Sequence, residues 1–130
     1  MALNDRGEVV GFGNPPGGNF DGDSLRAFYW NAKTGIRDLG RIEGHLSSQA
    51  LGIHARGQIV GVSCGDICRG LLWVDGERHI LQDLLAEPTN DTIWSARGIN
   101  DAGVISGRIR VANTGRTAPF IATPITVPNP

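Results

Sequence analysis

Cys64-Gly65-Asp66-Ile67-Cys68 is the one cysteine pair in the 130-residue chain and the first place to look for chemistry. Oxidised, the pair clamps its own loop; reduced, it is two thiols beside a turn. A structural zinc would require four ligands, and only His54 lies within about ten residues of the pair. Dithiol redox motifs place two residues between the cysteines, not three. Asp21 and Asp23, in the glycine-rich loop that runs from Gly13, offer carboxylate oxygens of the kind calcium accepts. They are weak candidates, because calcium takes about six or more oxygens and no Glu follows at a matching distance. His45, His54 and His79 have no nearby Ser or Cys with a carboxylate in an order that would make a nucleophilic triad. The sequence therefore assigns no catalytic residue, no cofactor-binding residue and no full metal-ligand set.

The aromatic residues point to binding. An exposed indole can stack on a sugar ring, and the chain has Trp30, Trp73 and Trp94. Trp30 and Trp73 each end an apolar run and precede a turn, so both are expected to pack between structural units. Trp94 has no such partner, since counting residues sets it against Ser48. With Phe20 it is a candidate ligand contact. Asp38 and Asp83 precede Leu39 and Leu84 at the ends of two related segments and are expected to accept turn hydrogen bonds.

The elements that hold these residues are written in three copies. Ala2-Leu3-Asn4-Asp5-Arg6-Gly7 returns as Gly52-Ile53-His54-Ala55-Arg56-Gly57 and as Gly98-Ile99-Asn100-Asp101-Ala102-Gly103, about every 50 residues, the size of a small multi-stranded sheet. Each phrase leads into a β-branched run, Glu8-Val9-Val10-Gly11, Gln58-Ile59-Val60-Gly61 or Val104-Ile105-Ser106-Gly107. Between the strands, Asn4, Asp5 and Gly7, then Gly57, then Asn100, Asp101 and Gly103 read as structural turn residues. Asn and Asp bond local backbone, and Gly accepts positive φ. In the middle copy His54-Ala55 replaces Asn-Asp, which is expected to weaken that turn's side-chain contribution.

A variable loop and a third strand follow: Arg26-Ala27-Phe28-Tyr29-Trp30, Arg69-Gly70-Leu71-Leu72-Trp73 and Ala118-Pro119-Phe120-Ile121-Ala122. In the first two copies a turn leads to a fourth segment, and residues 80–86 could form one helical turn. The expected fold class is all-β: antiparallel four-stranded blades forming a partial β-propeller of about 2.5 repeats. The repeats span residues 1–43, 44–90 and 91–124, and a Pro-rich tail occupies 125–130. Counting strands gives the last three of one blade, one whole blade and the first three of another. Closed propellers need about four or more blades, so the chain is expected to be completed by further blades of a longer chain or by self-association.

Composition excludes several partners. Twelve Lys and Arg against 13 Asp and Glu give a net charge of −1. No run of like charge exceeds two residues, which argues against nucleic acid. Apolar stretches are far shorter than the roughly 18 residues of a membrane span, and no membrane insertion is expected. The 19 glycines are about twice their usual share of roughly 7% and suit short strands joined by turns.

The succession of a strand, Leu3-Asn4-Asp5-Arg6-Gly7-Glu8-Val9-Val10-Gly11, a loop, Ala27-Phe28-Tyr29-Trp30 and Asp38-Leu39-Gly40, with Ile99-Asn100-Asp101-Ala102-Gly103 repeating the opening, resembles the HAF repeats of bacterial extracellular proteins. The resemblance covers residues 1 to about 124. The histidine that names the family is Arg26, Arg69 and Ala118 in this chain, so no role for it carries over. The resemblance implies a secreted or surface-exposed, propeller-like protein with no catalytic residues to transfer. The expected function is a non-catalytic module for binding or scaffolding, with a carbohydrate or protein ligand. Membership of a glycan-acting secreted propeller enzyme and a purely structural repeat are the alternatives.

Overall fold

A computed structural model describes residues 1–13, 25–87 and 89–124. Phe20, Asp21, Asp23 and the tail 125–130 lie outside the described residues. The first sheet holds β1 (Ala2–Leu3), β2 (Val9–Gly13), β3 (Arg26–Asn31) and β4 (Gly35–Gly40). The second holds β5 (Ser47–Ile53), β6 (Ile59–Cys64), β7 (Cys68–Val74) and β8 (Glu77–Ile80). The third holds β9 (Thr92–Ile99), β10 (Ile105–Arg110) and β11 (Thr117–Ala122). Neighbours in sequence are neighbours in space, and all pairings are antiparallel. Between β8 and β9 the chain makes a 3-10 turn at Leu81–Leu84, within the span where one helical turn is expected.

The first repeat departs from the strand count: it has a fourth strand, the two-residue β1, paired Ala2 with Val10 and Leu3 with Val9. Two residues suffice because the hairpin turn, not strand length, sets this register. Gly7, Gly57 and Gly103 all lie at φ between +77 and +88°, where a Cβ is strained.

The three sheets stack face to face, and the middle one is buried on both sides. Since successive strand residues point to opposite faces, Ile59, Leu71 and Trp73 pack with Val10 and Ala27 of the first sheet. Val60 packs instead with Ile93, Ala96 and Ile105 of the third. That double burial explains why β6 is buried continuously from Ile59 to Ser63, where a one-sided strand would alternate. Among the described residues, no sheet closes the stack into a ring.

A repeated irregularity accounts for a repeated glycine. β5 and β9 each bulge where they face β6 and β10, passing over Leu51 and Arg97 respectively. The bulge swings a carbonyl inward, so that a Cβ on Gly61 would lie on the Gln49 oxygen and one on Gly107 on the Ser95 oxygen. The glycine ending the second and third β-branched runs is thus a close-approach residue.

The two equivalent tryptophans part company. Trp73, opposite Ile59, is 1% exposed, and its indole Nε1 donates to the Leu39 carbonyl oxygen of the preceding sheet at 3.2 Å. Trp30, opposite Val9 in the same register, is 39% exposed and covered by no sheet among the described residues, which corrects the expectation that both are core. The difference is positional: Trp30 faces away from the stack.

Candidate functional site

The turns are more than local hairpins. Asn4 Oδ1 accepts from the amides of Arg6 and Glu8 at 3.1 Å each, and Asn100 Oδ1 accepts from Ala102 and Val104 at 3.0 Å each. In the middle copy His54 Nδ1 accepts from Arg56 at 3.1 Å and Gln58 at 3.3 Å. An imidazole nitrogen takes the position of an amide oxygen, so His54 keeps the turn intact, contrary to the weakening expected. Its Nε2 then carries the hydrogen and donates to Gln58 Oε1 at 3.0 Å. The turns also join laterally: Asn4 Nδ2 donates to the His54 carbonyl at 2.9 Å, and Asp101 Oδ1 accepts from the Ala55 amide at 3.0 Å.

Beside this row of turns lies a cleft of about 210 Å³ between the first and second sheets. Its floor is a polar network. The nearly buried Glu8 accepts from Asn4 Nδ2 at 2.8 Å and from the Tyr29 hydroxyl at 2.5 Å, and Tyr29 accepts from Asn31 Nδ2 at 2.9 Å. Arg6 adds an ion pair at 3.4 Å. Burial alone would raise the Glu8 pKa, but the Asn4 and Tyr29 hydrogen bonds and the Arg6 charge together hold it below the ordinary 4.5. Burial and the bond to Glu8 push the Tyr29 hydroxyl above 10.0. Asn31 Oδ1 is used as well, taking the amides of Lys33 and Thr34 and closing the β3–β4 turn.

The rim carries Arg6, Arg37 and Arg56 against Asp75. Arg37 and Arg56 are exposed, and their guanidinium groups have no hydrogen bond or ion pair among the described residues. The half-buried Leu39 lends apolar surface, while Ile59 and Trp73, which also border the cleft, are buried. This cleft can hold an anion or a polar ligand. It is poorly suited to acid catalysis, because a general acid must keep its proton near neutral pH and Glu8 is held ionised.

The residues singled out from sequence do not converge on the cleft. Cys64 and Cys68 are joined by a disulfide across the β6–β7 turn. Trp94 sits at a second bulge of β9, where the register passes from Ser95 to Ile93, so it is an inserted residue without a counterpart. Ser48 is equivalent to Ile93 instead. The partly buried Trp94 ring lies 5.6 Å below the Arg110 guanidinium, a cation–π contact on the third sheet. Asp38 Oδ1 accepts from the Gly40 amide at 2.7 Å, the expected turn bond. Asp83 is exposed in the 3-10 turn with no such bond among the described residues. His45 Nδ1 meets Ser63 Oγ at 2.9 Å, yet Ser63 is fully buried and also accepts from the Ile42 amide, so this pair is a structural clamp.

Arg6, Glu8, Tyr29, Asn31, Arg37 and Arg56 escaped notice in the sequence. One signal was there: the copies agree on Arg6 and Arg56 but diverge at Glu8, which becomes Gln58 and Val104. No family model, no curated protein and no solved structure matches the chain. What it does must be argued from its own geometry.

Proposed function

We propose that this chain is a segment of a propeller-type repeat protein of the HAF kind, extracellular, that binds or scaffolds without catalysis. The observation behind the reading is the outer face of the first sheet. Leu3, Val9, Phe28 and Trp30 are the register equivalents of Ile53, Ile59, Leu71 and Trp73, the face of the second sheet that the first sheet covers. Leu3 is 74% exposed where Ile53 is 8%. Contiguous apolar surface of this kind marks an interaction site, and the internal repeat indicates its partner: another four-stranded sheet of the same type. Asp5 supports the same direction, since its equivalent Asp101 reaches back to the preceding turn.

A second copy's third sheet fits this face poorly. It has three strands, so it lacks the fourth strand that gives Trp73 its acceptor in Leu39. Its open side also carries the exposed Arg108, which replaces Val62 of the middle sheet. Burying an unpaired guanidinium is costly.

The test is a fusion of residues 47–96 ahead of Met1, which lengthens β1 and supplies a four-stranded sheet. Trp30 fluorescence should shift to the blue, the melting temperature should rise, and Trp30→Ala should become as damaging as Trp73→Ala. A fused protein in which Trp30 remains solvent-exposed sinks the reading.

A further inference from the structure

The cleft between the first two sheets carries a polar network that the second sheet lacks at the equivalent positions. Its equivalents one repeat later are apolar or shorter of charge: Glu8 corresponds to Gln58, Tyr29 to Leu72 and Asn31 to Val74. The second sheet stacks on its neighbour with those residues, so a buried carboxylate, with its desolvation cost, is not a requirement of stacking. All of the network's groups are engaged with one another, which leaves a preset floor beneath a rim of cations.

We propose that this cleft binds a small hydroxylated carboxylate, a uronic-acid type of sugar, with Arg37 and Arg56 as the contacts to its carboxylate. Guanidinium groups suit that role because their planar fork matches a carboxylate with two parallel hydrogen bonds. Arg6 is already committed to Glu8, whereas Arg37 and Arg56 have no anionic partner among the described residues. The cleft, at about 210 Å³, is smaller than the roughly 300 Å³ at which sites for drug-sized ligands begin, and so fits one ring, not an oligomer. Its two remaining features suit a sugar. Asp75 offers acceptors to ring hydroxyls, and the half-buried Leu39 offers apolar surface to the C–H face of the ring. This rests on the binding reading above but not on its stacking face, which lies on the other side of the first sheet.

The experiment is an amide NMR titration of the whole chain with sodium glucuronate, with glucose and inorganic phosphate as parallel arms. Glucuronate should shift the amides of Asn31, Gly57 and Gly76 with a millimolar dissociation constant, and glucose should leave them in place. Arg37→Gln combined with Arg56→Gln should weaken glucuronate binding at least tenfold without lowering the melting temperature, because both side chains are exposed. Absence of shifts at these amides, or unchanged affinity in the double variant, overturns the site. Equal shifts with glucose or with phosphate overturn the ligand class. The fused-repeat test is read on Trp30, so either result can fail while the other stands.

Discussion

Asn4 donates through Nδ2 to the carbonyl oxygen of His54, 2.9 Å away, while His54 performs in its own turn the acceptor role that Asn4 performs in the first. One residue position therefore closes its hairpin and ties it to the next. The recurrence of the turn phrase has a tertiary cause as well as a local one.

His54→Asn should fold normally, since Asn4 and Asn100 already fill this position. His54→Leu leaves the amides of Arg56 and Gln58 without their acceptor in a partly buried turn and should cost about 1–3 kcal/mol. Urea unfolding of the two variants side by side checks this; equal stabilities would refute the acceptor role.

Acid should destabilise the chain through Glu8. A carboxylate with a lowered folded pKa contributes stability that is present above its ordinary 4.5 and disappears as pH falls through the folded value. Glu8→Gln should flatten that acid limb in melts run between about pH 7 and about pH 3. Tyr29 has the opposite sign: its raised pKa gives stability present below 10.0 and lost as pH rises through the folded value. Tyr29→Phe should remove the alkaline loss.

Gly61→Ala should be far more damaging than Gly13→Ala. The first drives a methyl group onto the Gln49 carbonyl, while the second meets nothing within 4 Å among the described residues. Expected costs are about 3 kcal/mol for Gly61→Ala and less than about 1 kcal/mol in either direction for Gly13→Ala. Thermal melts of the pair decide it.

Trp73→Ala should cost about 3–5 kcal/mol by opening the interface between the first two sheets. Trp30→Ala in the unextended chain should cost about 1 kcal/mol or less, because no sheet covers it. Equal losses would mean that the outer face is not free.

Replacing both cysteines by serine should cost no more than about 2 kcal/mol, since so short a ring restricts the unfolded chain little. Chemical denaturation with and without reductant measures it. Amides outside Ser63–Arg69 should keep their chemical shifts.

Strand identity and the hairpin turns were legible from Asn, Asp and Gly followed by β-branched runs, because those preferences are settled within a few residues. The same locality misled at His54, whose equivalence to asparagine depends on which ring nitrogen meets two amides. It misled again at Trp94, where counting residues could not see a bulge.

By itself the sequence determined that the chain is all-β, that a turn phrase recurs and where each hairpin turns, since backbone preference and period-two burial act on neighbours. Only the tertiary structure decided which of two equivalent tryptophans is core, why Gly61 and Gly107 tolerate no side chain, and that Arg6, Glu8, Tyr29 and Arg37 share a cleft with Arg56 of the next repeat. Those outcomes depend on which face of a sheet meets another sheet, and stacking joins residues about 50 positions apart that no local pattern connects.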